Sequence, residues 1–186
     1  MFRKLKLYVM LFTVVFSISS CLDKYPEDAI PANEAMNTVD DANQAVYGIY
    51  SGFKSKALYS GSLTLLPDIQ ADLVYAVKGY TNIYGQVWRW NFLATNAEIT
   101  AVYADLYTII GRCNFLLDNE ARIRNNTTDD SKLDELDNCI GEAYFARALA
   151  YSELIKMFCK PYESEAEAAN ELGVEYSEMK TNPALI

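Results

Sequence analysis

The 186-residue chain carries 16 Lys+Arg against 25 Asp+Glu, a net charge of −9, and no histidine. The negative balance argues against a nucleic-acid or anionic-membrane surface mode. The lack of histidine removes every His-based triad, every His metal ligand and the usual general base near neutral pH. Fourteen Tyr, eight Phe and two Trp are enough for a packed core with some rings to spare for a binding face.

Residues 1–20 read as an export signal: Arg3, Lys4 and Lys6, then an apolar stretch over 5–18, then small residues. ISSC at 18–21 has the form of a bacterial lipobox, in which cleavage before Cys21 leaves that thiol carrying a diacylglycerol. The apolar run is shorter than the roughly 20 residues of a membrane span. Loss of the signal takes the net charge from −9 to about −12. Residues 21–37, with Pro26 and Pro31, read as the lipidated cysteine and an extended tether.

Thr38 then opens a helix. Thr38 and Asp41 have capping-box-like spacing, and Ala42, Ala45, Val46, Ile49, Tyr50 and Phe53 follow at steps of three and four. The pattern predicts a helix to about Tyr59, closed by Ser60, Gly61 and Ser62. Gly48 and Gly52 within it mark either a groove that another backbone approaches or solvent-facing tolerance. Residues 63–78, broken by Pro67, predict one or two short helices with Asp68 or Asp72 near an N-terminus. Over 79–95 the rings of Tyr80, Tyr84, Trp88, Trp90 and Phe92 alternate with polar residues, a pattern that fits a ring-rich loop or a short strand equally.

A third helix is predicted from Asn96 to about Arg124, capped by Asn96 or Thr95, with Ile99, Val102, Tyr103, Leu106, Tyr107, Ile110, Cys113, Phe115 and Leu117 as its apolar set. A polar turn over 125–130 leads to Ser131, which with Asp134 caps the next helix. That helix carries the densest helical signal of the chain, 141–158, where Tyr144, Phe145, Ala148, Leu149, Tyr151, Leu154, Ile155 and Phe158 spread over most of the surface. Such breadth predicts cover on more than one side, and two long helices on a short turn predict an antiparallel hairpin as the core. The acidic, alanine-rich residues 163–172 predict one further exposed helix ended by Gly173, and residues 182–186 read as a cut rather than a finished fold.

The residues that bear on chemistry are few. Trp88, Trp90, Tyr80, Tyr84 and Asn91 offer what sugar binding needs, flat rings for pyranose faces and an amide for hydroxyls; the competing reading is that these rings cover the helical core. Cys113 and Cys139 lie nearly equidistant from the turn at 125–130, which would allow a disulfide, although buried free thiols are the preferred reading. No short Cys spacing supports a metal site. The carboxylate clusters at Asp40 and Asp41, Asp129 and Asp130, and Asp134 to Asp137 sit at predicted helix starts, where capping explains them without catalysis.

Four stretches together resemble the N-terminal part of the SusD/RagB family of Bacteroidetes outer-membrane nutrient-binding lipoproteins. They are the lipobox Cys21 with its tether, AVYGIY at 45–50, YADLYTIIGRCN at 103–114 and, most distinctively, GEAYFARALAY at 141–151. The resemblance covers nearly the whole chain but about the first third of a typical family member. It departs from the family in having Tyr103 where Trp is usual, and residues 158–161 where a Gly-containing turn is often found. It implies an all-α, truncated SusD-like fold of tetratricopeptide-like hairpins with irregular aromatic-rich loops, occupying 38–186. It further implies a lipid-anchored outer-membrane protein facing the exterior, binding glycan or peptide nutrient and docking on a SusC-type TonB-dependent transporter, with no catalytic role and no cofactor. The alternative is a non-catalytic helical scaffold or a truncated paralogue lacking a competent ligand site.

Overall fold

The computed structural model describes residues 34–75, 77 and 83–177. Cys21, the tether as far as residue 33, Tyr80 and residues 182–186 therefore lie outside the described residues, while Met36, within the tether expected over 21–37, is buried in the core. The chain divides into two units, Met1–Ala35 and Met36–Ile186, and the second holds every helix among the described residues.

Helix α1, Val39–Phe53, starts where the capping box predicts: the Asp41 N–H donates to Thr38 Oγ1 at 3.2 Å and the Thr38 N–H donates back to the Asp41 carboxylate at 2.9 Å. Its apolar period buries Val39, Ala42, Val46, Ile49 and Phe53. The helix stops at Phe53, short of the predicted Tyr59. Ser55 ends it, since its hydroxyl donates to Asp105 at 2.6 Å and accepts the Leu58 N–H at 3.2 Å, turning the chain so that Leu58 is fully buried.

Helix α2, Ser62–Gln70, keeps Pro67 inside it, so the proline does not split the segment. Neither Asp68 nor Asp72 begins a helix: Asp68 lies within α2, and Asp72 follows it with φ 56°. Residues 84–96 contain a single helical turn, α3, Gly85–Trp88, and no strand occurs among the described residues.

Helices α4, Ala97–Asn126, and α5, Asp130–Phe158, are 30 and 29 residues long and form the predicted hairpin. Arg124 meets Asp137, Asn114 meets Arg147 and Tyr103 meets Phe158, so each step down α4 is matched by an equal step up α5, which makes the pair antiparallel. The turn is shorter than the sequence suggests. Asp129, not Ser131, caps α5, its carboxylate accepting the Ser131 N–H at 2.9 Å. The three contact pairs are symmetric about residues 130–131, so the arms pivot later than the centre of 125–130. Cys113 stands level with residue 148, and Cys139 is about 13 Å away along the axis at 1.5 Å per residue. A bridge is out of reach, and both are buried free thiols.

Helix α1 lies against both arms, antiparallel to α4, where Gly48 meets Arg112 and Ser55 meets Asp105, and parallel to α5, where Asn43 meets Cys139 and Tyr59 meets Glu153. The core of this three-helix layer is aliphatic, with Ile49, Leu106, Ile109, Ile110, Leu116, Ile123, Leu136 and Leu154 fully buried. On α5 the buried positions are largely small, Ala143, Ala146 and Ala150 among them, which lets the backbones approach closely. The cover expected on more than one side of this helix does not extend over its large rings among the described residues: Tyr144 is 51% and Phe145 62% exposed, with Ile155 also exposed. α1 and α4 approach only the alanine side, and ring size does not decide which face is covered.

The glycines of α1 differ. An added Cβ at Gly52 would lie 2.3 Å from Ile109 Cδ1, so Gly52 admits a neighbouring side chain rather than a backbone, whereas at Gly48 it would meet nothing within 4 Å. After α5 the described residues hold one further helical turn, α6, Glu165–Ala168, capped by Ser164 and solvent-facing, shorter than predicted.

Candidate functional site

The ring-rich segment is held to the bundle by α2. Leu63, Leu66 and Ile69 of α2 are buried with Val87 of α3, and the Ser62 and Tyr84 hydroxyls are 3.1 Å apart. This divides the candidate rings into two groups. Tyr84 and Trp88 are partly buried, packed against the hydrophobic core. Trp90 is 58% exposed.

The backbone that presents Trp90 is unusual. Its N–H donates to Val87 O at 2.9 Å and the Asn91 N–H donates to Gln86 O at 2.9 Å, the paired bonds of a Schellman-type end to α3 that puts Trp90, in the place usually taken by glycine, at φ 58°. A bulky residue in the left-handed region costs of order 1 kcal/mol or more and is held only where the surroundings enforce it. Trp90 meets the Phe92 ring edge-on, centroids 5.7 Å apart at 88°, so one ring orients the other. Beside it the Asn91 Nδ2 donates to Gln86 Oε1 at 3.0 Å. That bond uses one donor of Asn91 and one lone pair of Gln86, so the amide pair still has both donor and acceptor capacity for a hydroxyl.

Phe92 also lines a shallow groove of about 260 Å³ with Leu66, Gln70, Leu93, Ile99 and Phe158. The wall is fixed from below: Asn96 caps α4 with its backbone while its side chain accepts the Leu93 N–H at 2.6 Å. The arrangement is an exposed flat ring, an adjacent amide pair and an apolar trough, which suits a neutral, hydroxyl-rich ligand with apolar faces and carries no charge pattern for a phosphate. A wider groove of about 670 Å³ opens between α1 and α4, floored by Ala45, Gly48, Ala104 and Gly111, where Arg112 donates to Gly48 O at 2.7 Å. Gly48 hinted at this second groove in the sequence; Gly111, on a helix 63 residues later, could not be paired with it without the fold.

No group of three or more metal-ligating side chains occurs among the described residues. Burial pushes the Cys113 thiol up to about 11, opposed by the Arg147 charge, so it behaves as an apolar side chain rather than a nucleophile.

The SusD-like_3 family model, described as "Starch-binding associating with outer membrane", matches residues 21–182. The chain is 25% identical over 176 residues to the SusD-like protein P25 of Formosa agariphila, an alignment covering 90% of this chain and 32% of that protein. The chain thus spans about a third of the length of the curated relative it matches. No solved structure matches it. With the family pattern running through nearly all of the residues, and an all-helical fold built on the 97–158 hairpin, the chain belongs to the SusD-like family of starch-binding, outer-membrane-associated proteins.

Proposed function

We propose that the protein is a cell-surface lipoprotein of a nutrient-uptake system that binds a glycan or other oligomeric nutrient and passes it to a SusC-type TonB-dependent transporter. Cys21 carries the lipid that holds it on the outer membrane, facing the exterior, and the helical layer is a binding scaffold without a catalytic role. The observation that carries the ligand reading is Trp90, exposed, left-handed in φ and braced by Phe92. A pyranose ring stacks its C–H face on the indole while Asn91 and Gln86 meet an equatorial hydroxyl. Tyr84 and Trp88 serve this site from behind, fixing α3 against α2 rather than touching the ligand. The groove beside Phe92 extends the contact to a second sugar unit, so an oligosaccharide is favoured over a monosaccharide.

The docking half of the proposal is tested by retaining outer-membrane proteins on the immobilised chain. A co-purifying TonB-dependent transporter is the expected result, and a chain that retains none is a scaffold outside the uptake system.

A further inference from the structure

The sequence motifs at 103–114 and 141–151 contain polar residues that the ligand site does not use: Tyr107, Asn114, Arg147 and Tyr151. In the structure these converge on one short extended segment. The Tyr107 hydroxyl donates to Glu175 O at 2.8 Å, Asn114 Nδ2 donates to Ser177 O at 2.8 Å, and the Tyr151 hydroxyl accepts the Ser177 N–H at 2.7 Å and donates to Ser177 O at 3.3 Å. Asn114 is 1% exposed and its amide is set by Arg147, whose Nη1 donates to Asn114 Oδ1 at 2.8 Å. The Tyr151 and Tyr176 rings stack at 5.6 Å and 27°.

Two features separate this from ordinary loop packing. The hydrogen bonds that Tyr107, Asn114 and Tyr151 make to the segment go to its main-chain atoms. The connection from α5, residues 159–173, buries no side chain, and beside the segment Val174 packs partly buried against the core, so 175–177 is held by that contact and by the helices' hydrogen bonds rather than by the path that leads there.

We infer that Tyr107, Asn114 and Tyr151 form a site for an extended polypeptide main chain with an aromatic side chain at its centre, with Arg147 as the positioning residue, filled in cis by Glu175, Tyr176 and Ser177. The segment is a tethered peptide ligand, held at high effective concentration by its linker. The four motif residues are thereby accounted for as one device that directs the chain across the α4–α5 face.

The experiment is amide hydrogen exchange by NMR on the full chain, with melting temperature as control. In the unmodified protein the Ser177 amide is protected. Tyr151→Phe keeps the ring stack but removes the hydroxyl, and exchange at Ser177 rises at least tenfold with little change in melting. Glu175→Ala and Ser177→Ala leave protection intact, because only their main chains are held. Arg147→Met accelerates Ser177 exchange, and Arg147→Lys, which restores a donor to Asn114, recovers most of the protection. Should Tyr151→Phe also lower the melting temperature, Tyr107→Phe gives the same local readout from a half-exposed hydroxyl. An unprotected Ser177 amide in the unmodified protein, equal exchange in the hydroxyl deletions, or equal loss in Ser177→Ala overturns the inference.

Discussion

Gly48 and Gly52 lie one helical turn apart on α1, and alanine at the two positions has opposite effects on stability. Replacing a helical glycine with alanine in an open position stabilises by about 0.5–1 kcal/mol, through the lower entropy of the unfolded chain and the better helix propensity. Gly48 is such a position, with nothing within 4 Å of the added methyl. At Gly52 the same gain is opposed by a methyl placed 2.3 Å from Ile109 Cδ1 and 2.8 Å from Arg112 Nη1. Arg112 is exposed and swings away. Ile109 is 1% exposed in a packed interior, so relieving the overlap costs about 1–3 kcal/mol. The net expectation is that Gly48→Ala raises, and Gly52→Ala lowers, the unfolding free energy by about 1 kcal/mol each in urea melts. Ile109→Val removes the offending Cδ1. Alone it costs about 1 kcal/mol, but beside Gly52→Ala it relieves the clash, a coupling of about 1–2 kcal/mol in a double-mutant cycle. If Gly52→Ala stabilises as much as Gly48→Ala, or the cycle shows no coupling, the α1–α4 packing described here is wrong.

Three further outcomes follow from particular contacts. Thr38→Ala removes one arm of the capping box of α1 and lowers stability by about 1 kcal/mol, read from the same urea melts. Alkali weakens the fold: burial raises Cys113 from 9.0 to about 11, and burial followed by the Glu153 hydrogen bond raises Tyr59 from 10.0 to about 12. These acids stay protonated in the folded chain where the unfolded chain has lost the proton. Their stabilisation is therefore complete below about pH 9 and is lost as pH rises through 9–11 for Cys113 and 10–12 for Tyr59. The melting temperature should hold level up to about pH 8.5 and then fall, and Cys113→Ala should shrink the first part of that fall. Cys21→Ser releases the protein from the membrane fraction of the producing cell, and retention there would argue against lipidation at that residue.

The main helices were legible because each shows an apolar period of three and four residues over several turns, and the capping box at Thr38 fixed one boundary to the residue. The end of α1 was not legible, since it depends on Ser55 finding Asp105, 50 residues away in sequence. The cap of α5 differs by two residues from the sequence expectation because Asp129 and Ser131 both qualify chemically, and Cys113 and Cys139 fall at different heights because the arms pair about residues 130–131 rather than about the middle of the turn. The α5 rings show the limit of composition. Tyr144 and Phe145 read as core by type, yet burial is decided by which helices approach, and these come to the alanines. Of the candidate ligand rings, the sequence could nominate Tyr84, Trp88 and Trp90 but not rank them. What distinguishes Trp90 is a backbone angle and a neighbour's edge, neither visible in a list of residues. Asn114 was legible in part: an amide amid Ile110, Cys113 and Leu117 on an apolar helix must have partners, and Arg147 and Ser177 supply them.

The claim that Trp90 is the stacking platform is tested most directly by titrating oligosaccharides, starch fragments first, while following tryptophan fluorescence in the unmodified chain and in Trp90→Ala and Trp88→Phe. Covering about 60 Å² of indole face at ~25 cal/mol/Å² contributes about 1.5 kcal/mol, or roughly tenfold in affinity. The expected result is a saturable shift for at least one oligosaccharide that survives in Trp88→Phe. It disappears in Trp90→Ala, where competition also shows affinity weakened about tenfold. A shift that persists in Trp90→Ala, or none with any glycan, contradicts the account.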